Sequence, residues 1–207
     1  RVVMPNYKGI PEKYRNNFEY VTHFYMGTGP YVPSTHTGVM RYEYDGITYY
    51  FIDNLDYFGA DKPYADTRTD VEKYTFFCKA ALSILPVVEF KPNLIHCHDW
   101  QAGFIPVYLK TEFAADPFFW NIKTMMTIHN LRFQGVWDIK TMKGLTGFPD
   151  YLFTPDKLEY NNDANMLKAG IVYSDYITTV SETYAGEIQT DFYGEGLNGL
   201  LTTRQTG

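Results

Sequence analysis

The sequence predicts an α/β fold: a Rossmann-like parallel sheet with helices on both faces, and a β-hairpin inserted into it. Two observations predict it. Short apolar runs alternate with helical-period segments along most of the chain, and three of those runs end on polar residues. Strands that alternate with helices lie parallel, and a parallel sheet is buried by helices on its faces.

The hairpin comes first. Residues 39–54 hold two aromatic and β-branched runs around Asp45-Gly46, a two-residue turn signal. From Thr69 the period changes. Thr69-Asp70-Val71-Glu72 fits a capping box, and Val71, Tyr74, Cys78, Ala81, Leu82 and Leu85 recur at helical spacing up to a stop or kink near Pro86. A strand over 94–97 then leads into a helix over 100–110. The unit recurs as a strand over 123–128 with a loop from His129, a helix over 164–174, a strand over 176–180 and a helix opening at Ser181. The most loop-like stretch is 144–157, and His23 and His36 fall in a loop-like segment rich in Gly and Pro.

Composition narrows the function. A chain of 207 residues, 45% of them hydrophobic, can bury a core of one domain to one and a half. Eighteen Lys and Arg against 24 Asp and Glu give a net charge of −6, which argues against nucleic acid or an anionic membrane as partner. Two cysteines, Cys78 and Cys97, make no disulfide framework and point to a reducing compartment. The opening RVVMPNYKG lacks the apolar core of a signal peptide, and no apolar stretch is long enough to span a membrane. Arg1 and the ending TTRQTG look unlike natural termini, so a fragment is expected. The 19 Tyr, 15 Phe and 3 Trp suit sugar stacking, although core and sheet packing account for most such rings.

In open parallel sheets the ligand lies beyond the carboxyl ends of the strands. Here those ends carry His98-Asp99, His129-Asn130 and Ser181-Glu182. His96 and His98 share one face of their strand, Ile95 and Cys97 the other. His96 reads as a hydrogen-bonded core histidine, and Ser181 as a helix cap. Asp99 either caps the helix that follows it or serves the site. His-x-His-Asp also resembles part of a metallo-hydrolase ligand set, with His129 as a further ligand. Trp100-Gln101-Ala102-Gly103 stands where a second Asp-His step is needed, which weakens the metal reading. Gly194-Glu195-Gly196-Leu197-Asn198-Gly199 spells the dinucleotide fingerprint but follows a helix instead of a strand, so no nicotinamide site is expected there. A phosphate-binding loop and a Gly-x-Ser-x-Gly elbow are both lacking.

The segments HCHDWQAG, TIHNLRFQG, NMLKAGIVYSDYITTVSETYAGEIQ and YGEGLNGLL, in this order, resemble the amino-terminal domain of bacterial glycogen synthase and plant starch synthase. The resemblance covers nearly the whole chain. It implies a GT-B fold, two Rossmann-like domains around a cleft, of which residues 1–207 would be an incomplete amino-terminal, acceptor-side domain. The first strand with its Lys-Thr-Gly-Gly-Leu loop and the carboxyl-terminal nucleotide domain would be missing. It implies retaining transfer of glucose from ADP-glucose or UDP-glucose to an α-1,4-glucan, in the bacterial cytoplasm or a plastid stroma, without cofactor or metal. Carried over by motif, His129 would line the glucosyl pocket near the anomeric carbon, and Asp99 would hydrogen-bond sugar hydroxyls. Trp100 and Asn130 would complete the sugar wall, and Tyr64 would contact the acceptor if a gap is allowed. Phe133 stands where the family commonly has Tyr. The fragment alone is expected to be inactive. Two alternatives are a non-catalytic glucan-binding module and a metal-dependent hydrolase.

Overall fold

The computed structural model describes residues 1–205; Thr206 and Gly207, which end TTRQTG, lie outside the described residues. The first half runs β1 (Val2–Pro5), α1 (Glu12–Arg15), β2 (Glu19–Met26), β3 (Thr35–Tyr44), β4 (Ile47–Asp53), α2 (Leu55–Phe58) and α3 (Thr67–Val87). After it come β5 (Leu94–His98), α4 (Ile105–Lys110), β6 (Lys123–Ile128), β7 (Val136–Asp138), α5 (Ile139–Thr146), β8 (Glu159–Tyr160) and β9 (Asp163–Asn165). The chain closes with α6 (Met166–Tyr173), β10 (Tyr176–Thr179), α7 (Glu182–Glu187) and α8 (Asn198–Arg204).

Three sheets result. β10, β6 and β5 form the parallel sheet, in that order. The hairpin expected over 39–54 is present as β3 and β4, turning through Asp45 and Gly46 at φ 51° and 74°, the two positive values a tight hairpin turn requires. It is the middle of a larger sheet, however. β2 pairs with β3 and β1 runs parallel to β4, so four strands stand in the order β1-β4-β3-β2. His23 and His36 therefore lie on strands, on β2 and β3, where a Gly/Pro-rich loop was expected. The Gly and Pro residues sit at the β2–β3 connection and misled the reading on both sides of it. A third, small antiparallel sheet joins β7, β9 and β8.

α3 is the central helix. It buries Val71, Tyr74, Phe76, Cys78, Leu82 and Ile84 almost completely, around most of its circumference, as a helix enclosed by other elements must. It starts before the expected capping box. Asp66 is the cap, its carboxylate accepting the Thr69 amide at 3.0 Å, while Asp70 turns inward to a buried ion pair with Lys73 at 2.6 Å. Pro86 falls in the last turn, as its missing N–H demands. Three further boundaries differ from expectation. The helix over 100–110 is broken into a tight turn at Trp100–Ala102 and α4. The helix expected from Ala164 begins at Met166, because residues 163–165 pair as β9. The stretch 144–157 opens inside α5, capped by Asp138, and then forms a short turn at Asp150–Leu152.

Two glycines let α6 approach the site. A Cβ on Gly103 would stand 2.0 Å from the Met166 carbonyl oxygen, and one on Gly170 would stand 3.1 Å from the Gly103 Cα. Both contacts are with backbone, so neither can move aside. Gly103→Ala is expected to lower stability by about 2 kcal/mol or more, read from the midpoint of denaturant unfolding.

Cys78 and Cys97 are free and buried. Burial pushes the Cys78 thiol up to about 12 and raises Cys97 as well. A raised thiol stays protonated and unreactive through neutral pH. Aromatic disulfide reagents at about pH 8 are expected to label neither cysteine in the folded protein and both after unfolding; labelling at the rate of a free thiol would contradict the burial.

Candidate functional site

The register of the parallel sheet builds the site. His98 on β5 lies opposite Thr127 on β6, and Thr127 lies opposite Thr178 on β10, so the three strands end side by side. Beyond β5 the chain reverses at Asp99, whose φ of 56° is a left-handed value that a non-glycine residue adopts at a cost of about 1–3 kcal/mol. Two hydrogen bonds hold it there. Its amide donates to the Thr127 carbonyl at 3.0 Å, and its carboxylate accepts the His129 amide at 2.8 Å. The capping reading of Asp99 is thereby corrected: the carboxylate makes no cap bond to the turn that follows and ties β5 to the loop after β6 instead. Ser181 does cap, accepting the Tyr184 amide at 3.1 Å.

That loop is fixed from several sides. Asn130 accepts the Arg132 amide on its Oδ1 at 3.1 Å, and Tyr184 of α7 accepts the Leu131 amide at 2.9 Å. Buried Gln134 donates to the Leu131 carbonyl at 3.0 Å and to the Glu195 carbonyl at 3.1 Å. Gly135, at φ 63°, passes so close to Trp100 that a Cβ would stand 2.3 Å from the indole ring. Trp100 is itself only 8% exposed and meets Tyr74 edge-on at 5.2 Å. Most of the indole is therefore packing, with a small part facing outward.

A cavity of about 870 Å³ opens beside this framework, and Tyr64, Asp99, Trp100 and Asn130 all line it. Tyr64, which reaches the site from the segment before α3, is 54% exposed, and its hydroxyl accepts the Gln101 amide group at 2.9 Å. His129 is adjacent but outside the lining, with its Nε2 3.0 Å from the His98 Nδ1. His96 is exposed, which corrects its reading as a core histidine, though it is hydrogen-bonded as expected: its Nε2 lies 2.6 Å from the Thr127 hydroxyl. Among the described residues no group of three or more His, Cys, Asp or Glu side chains is placed to hold a metal ion.

Several lining residues escaped the sequence reading. Arg132 and Gln134 flank Phe133 in the loop after β6, where Phe133 alone was remarked and without a role, and Glu195 comes from the Gly194–Gly199 segment that was set aside as a false fingerprint. Only the fold could bring Glu195 here. Its carbonyl is clasped by Gln134 and by the Tyr160 hydroxyl at 3.0 Å, while Gly196 at φ 78° leaves no space for a Cβ against Tyr160.

Comparison with known proteins decides the family. The family model described as the starch synthase catalytic domain matches residues 1–203. The chain belongs to the glycogen synthase and starch synthase family. It is 55% identical over 204 residues to a glycogen synthase of Lachnospira eligens and 53% identical to one of Lachnoclostridium phytofermentans, each match covering 99% of this chain. The chain spans 42% of the length of these two synthases. Its fold matches the catalytic domain of starch synthase IV from Arabidopsis thaliana, bound to ADP and acarbose, with a TM-score of 0.89 at 24% identity, over 99% of this chain and 42% of that one. The α/β fold expected from the sequence is thus a synthase-type GT-B half. No described helix is long and apolar enough to cross a membrane.

The loop that carries the family motif after β6 depends on the clearance at Gly135. Gly135→Ala is expected to displace the Trp100 ring, read as a shifted tryptophan fluorescence maximum and a lower midpoint of denaturant unfolding; an unchanged spectrum and midpoint would mean that the ring does not rest on Gly135.

Proposed function

We propose that the complete protein is a retaining glucosyltransferase that elongates an α-1,4-glucan from ADP-glucose or UDP-glucose. In this reading residues 1–207 are an incomplete amino-terminal, acceptor-side domain, with the donor's phosphates and base held by a loop and a second domain outside it. The observation that carries the reading is the convergence of Tyr64, Asp99, Trp100 and Asn130 on one cavity beside His129, in a chain of the synthase family.

The chemistry follows from those groups. The donor's anomeric C–O bond breaks and the nucleoside diphosphate leaves with the electron pair. The glucan's terminal hydroxyl oxygen forms the new bond, and its proton passes to the departing diphosphate. Positive charge grows at the anomeric carbon in the transition state, and fixed dipoles or carboxylates lower its energy because they need no reorganisation. His129 would supply its ring and main chain there, while Asp99, already anchored through one carboxylate oxygen, would offer the other to a sugar hydroxyl. Asn130, Trp100 and Tyr64 would hold the sugars by hydrogen bonds and ring contact. No cofactor or metal takes part, and the place of action is the cytoplasm, or the plastid stroma in a plant.

The test is glucosyl transfer to glycogen by the complete gene product in EDTA, with ADP-glucose first because the starch synthase of the same fold binds ADP. Activity is expected to survive EDTA and to fall on the order of 100-fold or more in His129→Ala. The 207-residue chain alone is expected to bind maltooligosaccharide without turnover. Inactivity of the complete protein with both donors would reduce the reading to a glucan-binding module, and loss of activity in EDTA would favour a metal enzyme.

A further inference from the structure

His98 has no role in the reading above, yet its ring is built into the site. It lies at the last position of β5, on the same face as His96, with the two ring centres 4.2 Å apart. Its Nδ1 is 3.0 Å from the Nε2 of His129. Behind it the polar contacts continue across the sheet: His96 meets the Thr127 hydroxyl at 2.6 Å, and that hydroxyl meets the Thr178 hydroxyl at 2.6 Å. The row therefore reaches from the loop after β6 back over β5, β6 and β10.

We infer that His98 is a positioning residue for glucosyl transfer, fixing the orientation of the His129 ring and which of its nitrogens faces the sugar through the Nδ1–Nε2 hydrogen bond. The inference rests on the proposed role of His129. One hydrogen bond between two imidazoles takes one proton. If His129 donates from Nε2, its Nδ1 is left as a bare acceptor; if His98 donates from Nδ1, the His129 Nδ1 carries the proton. In both cases the bond occupies Nε2 and leaves Nδ1 as the ring nitrogen free to meet a sugar hydroxyl. Without it the exposed ring can flip, and the site loses a defined group where charge develops.

The surroundings keep the pair in the state it needs. Two protonated rings would face each other with N–H against N–H. Partial burial lowers the His98 pKa, the neighbouring His96 and His129 lower it further, and only the Asp99 carboxylate opposes them. The Asp99 carboxylate is itself engaged with the His129 amide, so the same residue that ends β5 fixes the main chain of His129 while His98 fixes its ring.

Three variants of the complete protein test this. His98→Leu keeps a comparable volume but removes the nitrogen, whereas the amide of His98→Asn can place a donor or an acceptor close to the former Nδ1. In His98→Leu, kcat is expected to fall on the order of 10- to 100-fold with the KM for donor and for glycogen changed by less than about three-fold; His98→Asn is expected to recover most of the loss. Ring-nitrogen NMR of histidine-labelled protein is expected to show the His129 Nε2 hydrogen-bonded in the parent and released in His98→Leu. His129→Ala is assayed beside them. A parental rate in His129→Ala removes the catalytic reading of the pair, whereas His129 ring signals unchanged by His98→Leu overturn the pairing itself. A normal kcat in His98→Leu, or no recovery in His98→Asn, overturns the positioning role even where His129 proves essential.

Discussion

The parallel register between β5 and β6 is the constraint on which the site depends. Because side chains alternate along a strand, the pairing of His98 with Thr127 decides that both histidines of β5 face the same way while Cys97 enters the core beside Met126. A slip by one residue would bury the imidazoles and turn the thiol outward. It would also move Asp99 away from the His129 amide, and the left-handed turn at Asp99 would lose the bond that holds it. Register here is fixed by burial: Cys97, Met126 and Ile128 are at most 1% exposed, which leaves no alternative face.

The site then consists of a few rigid anchors around open space. Asp99 joins one strand end to the next, Gln134 joins the loop to the Gly194–Gly199 segment, and Gly135 lets that loop lie against Trp100. Asp99, Asn130 and Tyr64 each accept one protein hydrogen bond, which leaves the second Asp99 oxygen as an acceptor and the Asn130 amide and Tyr64 hydroxyl protons as donors toward the cavity. Such an arrangement suits a polyhydroxylated ligand, whose selection relies on hydrogen-bonding groups that are held in place before it arrives.

Much of this was legible in the sequence where period and punctuation agree. The Asp45-Gly46 turn, the helical spacing through Leu85, and the strand ends at His98 and His129 all correspond to elements of the fold. What escaped had a physical reason in each case. His23 and His36 sit on β2 and β3, neighbouring antiparallel strands whose Gly/Pro-rich connection, residues 27–34, makes the whole stretch look like one loop until the two strands are paired. Asp99 carries the signature of a cap, yet the acceptor it provides serves an amide 30 residues away. The part of the cavity lined by Glu195 was hidden because a glycine pattern reports backbone freedom without saying what that freedom is for. Tyr64 lies in none of the matched motifs and was reached only by allowing a gap in the resemblance; the fold sets it against Gln101 at the same cavity.

Glu195 is gripped by its carbonyl oxygen, shared between Gln134 and Tyr160, and its side chain takes no part in that grip. The attachment is therefore indifferent to which amino acid stands there, provided its backbone tolerates φ 46°. Geometry and chemistry are separable at this rim: an exchange of side chain alters the charge and reach presented to the cavity while the main-chain clasp persists. Asn and Asp accept that backbone angle most readily, so a shorter polar group is the variation that this part of the molecule can adopt at least cost to its fold.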